Sequence, residues 1–328
     1  MLEYDRQVWG IILAGGEGRR LQSFIRAHYN SDVPKQYCIF TGTRSMLRHA
    51  IDRAELLIEP EHLLILASRQ HIRYVHEQLA DRQEGTVIVQ PCRRETAPAI
   101  LYPLMHVYQQ NPEAIVCVFP SDHFVLNEQG FMKHVEFSTE FVADNPQSLM
   151  LLGIHPQESE GEYGWIVTGN EIAGGNANRV YNISKFVEKP DPVTASQLYK
   201  NGGLWNTMVI VSTARTLLRL FEIFTPSMYK ALWDLRQVIG SSSEGQVVED
   251  LFSKLPSMNF SYSILEKNPA GLRTVKIEGA YWSDWGDAAR IQRDIKSYCT
   301  EPAAPIVPLH YATMLDSASF VPESPESI

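Results

Sequence analysis

The stretch WGIILAGGEGRRL, residues 9–21, sets an unbroken apolar run against a glycine cluster and two arginines, and PKQY follows at 34–37. An apolar run with no polar alternation is the pattern of a strand covered on both faces. The glycines after it let backbone N–H groups turn toward an anion. Arg20 and Lys35 bring two cations to the same neighbourhood. A strand that opens into such a loop suggests a polyphosphate ligand, although GGEGRR alone also fits an ordinary structural turn. The run is not GxxxxGK[ST], so it is not a P-loop, and it fits GxGxxG poorly.

Working outward, the first half alternates strand and helix signals. HLLILAS (62–68), GTVIVQP (85–91) and AIVCVFPSD (114–122) read as strands. Leu47, Ala50, Ile51, Ala54 and Leu57 share one helical face, Ile72, Val75 and Leu79 mark another, and APAILYPLMHVYQ (97–109) reads as a third helix. Such βαβ alternation predicts a mainly parallel, doubly wound α/β sheet, with ligands at the carboxyl ends of its strands. The second half is less regular. SLMLLGI (148–154), YGWIVTG (163–169), VYNISKFVEKP (180–190) and LWNTMVIVS (204–212) read as strands that extend the sheet and build a lid beside it. RTLLRLFEIFTPSMYKALWDLRQVI (215–239) reads as two helices broken at Pro226, and LRTVKIEGAYWSDWGD (272–287) as a late strand ending in a polar loop before a last helix. These elements predict one domain over 1–300, in two halves at about 1–150 and 151–300. A Pro/Ser-rich tail at 301–328 would follow as a loose segment.

Composition narrows the function. The net charge of -9 argues against non-specific nucleic-acid binding. No apolar run approaches the roughly 20 residues of a membrane span, and the first ten residues lack the pattern of a signal peptide. Cys38, Cys92, Cys117 and Cys299 form no CxxC pair. Reduced thiols and a cytoplasmic setting are therefore expected, and a zinc cluster is not. A homo-oligomer remains open.

The polar motifs suggest their own chemistry. Asp122, just past the strand in VFPSDH, and Asp284, in YWSDWGD, are candidate magnesium carboxylates, since this hard ion takes one or two carboxylates plus phosphate and water oxygens. His123 and Asp287 read more simply, as a packed histidine and a helix cap. Glu188 suits sugar hydroxyls and Lys189 a phosphate, while Gly164 and Asn206 suit a polyol contact.

The segments ILAGGEGRRL, PKQY, QPCRRETAPAI, FPSDH, GEYGWI, FVEKP, GGLWNT and WSDWGD, in this order over residues 8–290, resemble the sugar-1-phosphate nucleotidyltransferases. Their nearest branch is the mannose-1-phosphate guanylyltransferases. The resemblance implies a Rossmann-like domain of the nucleotide-diphospho-sugar transferase type, with a nucleotide-binding half at about 1–150 and a sugar-binding half at about 151–300. It implies that a sugar 1-phosphate attacks the α-phosphate of a nucleoside triphosphate, GTP in the nearest branch, and releases pyrophosphate with Mg2+ as cofactor. It assigns catalysis to Arg20, Lys35, Asp122 and Lys189, and the metal to Asp122 and Asp284. Leu13, Ala14, Gly15, Gly16, Gly18, Glu95, Thr96, Pro98 and Ser121 would surround the nucleotide. Gly164, Glu188, Lys189 and Asn206 would surround the sugar.

The family pattern is not kept everywhere. Arg19 replaces a threonine, RRETAPA stands for GRNTAPA, and WNTMVI stands for WNSGMF, which loses a glycine close to the sugar. Glu95 could accept both guanine N1–H and N2–H2, or merely pair with Arg93 or Arg94 on the surface. Thymidylyl or uridylyl transfer and a non-catalytic regulatory protein are the competing expectations.

Overall fold

A computed structural model describes residues 7–30, 32–174 and 178–298. The predicted tail at 301–328 and Cys299 lie outside the described residues. In chain order the strands are β1 (Val8–Ala14), β2 (Leu63–Ser68), β3 (Val87–Gln90), β4 (Ile115–Pro120), β5 (Phe124–Val125) and β6 (Leu149–Ile154). They continue with β7 (Gly164–Gly174), β8 (Arg179–Glu188), β9 (Leu204–Thr213), β10 (Leu272–Ile277) and β11 (Trp282–Ser283). The helices are α1 (Gln22–Tyr29), α2 (Met46–Ala54), α3 (Ile72–Gln78), α4 (Thr96–Gln110) and α5 (Glu128–Asp144). After them come α6 (Pro192–Lys200), α7 (Ala214–Phe224), α8 (Pro226–Trp233), α9 (Glu244–Lys254) and α10 (Ala288–Tyr298).

Nine strands form one sheet in the order β3-β2-β1-β4-β9-β6-β10-β8-β7, while β5 and β11 make a separate two-stranded ribbon. The first four are mutually parallel. β8 and β9 run against the other strands. The period-2 geometry of a strand explains why β1, β2 and β4, covered on both faces, are apolar almost throughout. Trp9 and Ile11 of β1 pack on one face with Leu64 and Leu66 of β2 and Val116 and Val118 of β4. Ile12, Ala14, Leu63, Ile65, Cys117 and Phe119 pack on the other. The first face is covered by α4, α7, α8 and α9, and the second by α2, α3 and α5. This is the doubly wound α/β arrangement expected, with helices on both sides.

The sequence reading places no helix between β5 and β6, yet α5 is there. Two of its core positions are Ser138 and Thr139, whose polarity masks the apolar period. The second half also closes more than a lid would require. β7 pairs with β9 as well as β8, so β9, β6, β10, β8 and β7 form a ring of hydrogen-bonded neighbours. Pro226 does break two helices, sitting at the first position of α8, where its missing N–H costs nothing. Cys38, Cys92 and Cys117 form no disulfide, and burial pushes the Cys38 thiol up to about 12. Among the described residues no helix is long and apolar enough to cross a membrane.

The loop before α9 is fastened to α4 through Glu244. Its carboxylate accepts from the Tyr102 hydroxyl at 2.9 Å and from the Gly240 N–H at 2.7 Å, and His106 Nε2 lies 2.9 Å away. Burial opposes the charge, but His106 and these donors outweigh it and hold the carboxyl down to about 2. A depressed carboxyl contributes stability above its ordinary value that is lost as pH falls through the lowered one. Glu244→Gln should therefore lower unfolding stability by about 1–3 kcal/mol at pH 7. The gap to wild type should narrow as pH drops from 4.5 toward 2, which urea unfolding across that range will measure.

Candidate active site

The cleft lies at the carboxyl ends of β1 and β4. The glycine loop leaves β1 and is held from below. Gln36 donates to the carbonyls of Ala14 and Gly16, each at 2.8 Å, and Ser121 donates to the Leu13 carbonyl at 2.7 Å. Gly18 has φ 61, and a Cβ there would stand 2.9 Å from the Lys35 Cβ, so this turn excludes other residues on two counts. A Cβ on Gly15 would stand 2.2 Å from Gln90 Nε2.

Lys35 is almost fully buried and joins the two distant carboxylate segments. Its ammonium lies 3.0 Å from Asp122 Oδ2 and donates to the Asp284 carbonyl. Burial would raise the Asp122 carboxyl, but the Lys35 charge outweighs it and holds it below the usual range. Asp284 is lowered in the same way: burial opposes ionisation, while Lys35, the Tyr163 hydroxyl and Arg290 favour it. Asp284 Oδ1 accepts from Tyr163 at 2.6 Å, from the Gly286 N–H at 2.8 Å and from Arg290 at 2.8 Å. Oδ2 faces Arg20, 3.7 Å away. His123 packs edge-on against Trp282 with Nδ1 buried and unpartnered among the described residues, and burial lowers it to about 4. Asp287 caps α10 by accepting from the Arg290 N–H at 2.9 Å.

A second group sits where β7 begins and β8 ends, since Gly164 pairs with Glu188. A Cβ on Gly164 would lie 2.7 Å from Glu188 Oε2 and 3.4 Å from the Asn206 Cβ, so the missing side chain is what lets these three meet. Burial raises the Glu188 carboxyl, partly offset by Lys189 and the Ser261 hydroxyl. Glu162 links the two groups: its carboxylate lies 3.1 Å from Arg20 and 3.8 Å from Lys189.

The remaining nucleotide candidates lie at the start of α4. Thr96 Oγ1 accepts from the Phe260 N–H at 2.8 Å, and the buried Pro98 packs within the helix, so neither side chain is free. Glu95 pairs with Arg93 at 3.0 Å, the surface contact anticipated above. Its backbone, at φ 66 and ψ -170, occupies a region that is nearly the preserve of glycine. Arg93 is also close enough to lower the Glu17 carboxyl of the glycine loop, behind burial and the Arg19 and Gln70 contacts.

Sequence reasoning assigns no role to four contributors, although Gln36, Tyr163 and Gln90 lie within PKQY, GEYGWI and QPCRRETAPAI. Gln36 braces the loop, and Tyr163 and Arg290 orient Asp284. Gln90 is buried at the end of β3 with Oε1 unpartnered among the described residues. The signals for Gln90 were a polar residue closing an apolar strand and its place at the head of QPCRRETAPAI.

The chain belongs to the nucleotidyl transferase family, whose model matches residues 9–299. It is 31% identical over 285 residues to a mannose-1-phosphate guanylyltransferase of Salmonella typhimurium, covering 84% of this chain and 56% of that protein. It is 29% identical over 276 residues to mannose-1-phosphate guanylyltransferase 2 of Escherichia coli O157:H7, covering 80% and 55%. The chain thus spans just over half the length of the curated relatives it matches. Its fold is similar to a crystal structure described as a mannose-1-phosphate geranyltransferase from Thermus thermophilus. That match has a TM-score of 0.74 at 25% identity and covers 90% of this chain and 81% of that one.

Arg290 is the positioning side chain for Asp284 and also pairs with Glu160. Removing one partner leaves buried carboxylates uncompensated. Arg290→Met should therefore destabilise the fold by about 3 kcal/mol, measured by denaturant unfolding at pH 7.

Proposed function

We propose that the chain transfers a guanylyl group from GTP to mannose 1-phosphate, giving GDP-mannose and pyrophosphate. The observation that carries the reading is the convergence of Lys35, Arg20, Asp122 and Asp284 beneath the glycine loop, with Lys189 across Glu162 from Arg20. The similarity to curated guanylyltransferases supports the choice of base and sugar.

The reaction asks little covalent work of the protein. A phosphate oxygen of the sugar phosphate is already a nucleophile. It forms a bond to the α-phosphorus as the bond to the bridging oxygen breaks, and pyrophosphate leaves with that electron pair. Positioning and charge stabilisation carry such a step. The glycine loop presents N–H groups to the triphosphate. Arg20 and Lys35 bring positive charge to the transferring phosphoryl group, and Lys189 holds the sugar phosphate from the other side. Glu162 bridges Arg20 and Lys189, so its carboxylate neutralises both cations until phosphate takes its place.

Asp122 and Asp284 fit magnesium. Both are kept ionised, and Asp122 Oδ1 and Asp284 Oδ2 accept no hydrogen bond from the described residues. Bound there, Mg2+ would neutralise the triphosphate and polarise the α-phosphoryl group.

For the base, Gln90 offers a buried amide oxygen that lacks a donor, and Glu95 offers a carboxylate on a strained backbone at the far end of the same connection to α4. Guanine supplies adjacent N1–H and N2–H2 donors, whereas adenine presents an acceptor at N1. A buried acceptor left unmatched penalises the wrong base. The buried thiols of Cys38 and Cys117 suit a cytoplasmic setting.

Pyrophosphate release, screened over nucleoside triphosphates and sugar 1-phosphates, tests the reading. GTP with mannose 1-phosphate should give the highest kcat/KM, and no release with any pair would assign the chain a non-catalytic role. In the same assay Asp122→Asn and Asp284→Asn should each lose most turnover while remaining folded, and Lys189→Ala should chiefly raise the KM for sugar phosphate, by about ten- to a hundredfold. Glu95→Gln should shrink the GTP-over-ATP preference about tenfold or more. An unchanged ratio would return Glu95 to its Arg93 contact and leave the base to Gln90.

A further inference from the structure

Met208 has φ 62, a conformation that costs any residue with a Cβ and is ordinarily left to glycine. Its surroundings explain how the conformation is enforced. β9 pairs with β6 through Ile210 opposite Leu151 and through Asn206 opposite Gly153. Leu152 alone therefore faces Thr207, Met208 and Val209, and the strand bulges with Met208 at the apex. The side chains on either side stitch the bulge together. Thr207 donates to the Leu152 carbonyl at 2.8 Å and accepts from the Val209 N–H at 3.4 Å, while the Met208 N–H reaches Asn206 Oδ1 at 3.3 Å. Asn206 and Thr207 are buried, and Met208 is the partly exposed member of the three. Bulges beside sites re-aim a side chain, and enforced strain of this kind concentrates where a ligand is held.

The bulge aims Met208 at the sugar end of the cleft. Its sulfur accepts from the Ser261 hydroxyl at 3.8 Å. Asn206, whose Oδ1 accepts from the Met208 N–H, borders Gly164, and Gly164 lies against the Glu188 carboxylate. The thioether thus occupies space that a residue without a side chain would leave to water or to a further sugar hydroxyl. A thioether is a weak acceptor and no donor. A hydroxyl turned toward it loses its water and gains little in return, so the contact rejects sugars by stereochemistry.

We infer that Met208 is a specificity-determining residue of this chain, an apolar wall that sets which epimer of a hexose 1-phosphate is accepted. The inference rests on the sugar-phosphate reading above. The test compares wild type, Met208→Gly and Met208→Leu in calorimetric binding of mannose 1-phosphate and its 2-epimer glucose 1-phosphate, with thermal unfolding alongside. Met208→Gly should reduce the ratio of the two Kd values at least about fivefold while its Tm is no lower than wild type, because glycine tolerates the backbone. Met208→Leu, which keeps the apolar bulk, should retain the ratio. A ratio unchanged in Met208→Gly overturns the inference and leaves Met208 a packing residue. Failure of the catalytic reading shows separately, as no pyrophosphate release from a wild type that binds sugar phosphate. Binding of neither epimer by wild type overturns both.

Discussion

Lys35 is a buried cation whose ammonium lies 3.0 Å from the Asp122 carboxylate and donates to the Asp284 carbonyl. Three segments far apart in the chain are thereby fixed to one point: the turn after α1, the end of β4 and the polar loop beyond β11. Much else in the cleft follows from that point. Gly18 must be a glycine because Lys35 lies against it. The two carboxylates can stay ionised in a low-dielectric pocket because the ammonium outweighs their desolvation. Arg20, Tyr163 and Arg290 then gather around Asp284. A buried cluster of this sort contributes little net stability against an apolar replacement. Its value lies in holding charges in a geometry that water would otherwise dissolve.

Backbone strain follows the same map. Among the described residues, five other than glycine have positive φ: Asn30, Glu95, Lys189, Met208 and Trp285. Asn30 ends α1, a place where asparagine is ordinary. Trp285 adjoins Asp284, Lys189 follows Glu188, Met208 crowns the bulge on β9, and Glu95 precedes α4. Four strained residues at four segments around one cleft indicate that the scaffold imposes its shape on the site, since each would relax if the surrounding packing allowed it.

The fold divides its labour along the sheet. The parallel strands β3, β2, β1 and β4 carry loops at their carboxyl ends, and the glycine loop and Asp122 gather there with Lys35. The ring of β9, β6, β10, β8 and β7 brings together the start of one strand and the end of another, which is how Gly164, Glu188 and Asn206 become neighbours. Glu162, between Arg20 and Lys189, stands at the junction of the two regions.

The parallel half was legible in the residues because strands covered on both faces need continuous apolar runs, and WGIILA, HLLILA and AIVCVF have them. The same runs showed that the glycine loop and Asp122 would sit at strand ends. Helix α5 escaped notice because Ser138 and Thr139 interrupt its apolar face while being buried by their neighbours. Local pattern could not say that β7 would close onto β9, since antiparallel partners are chosen by packing across the chain. Nor could it say that Asp284 would meet Lys35, that Gln90 would be buried with an unpartnered oxygen, or that Met208 would be forced left-handed. Periodicity records which face of an element is buried. It does not record which distant polar group will lie opposite, and in this protein those meetings, decided by the tertiary structure, make the cleft.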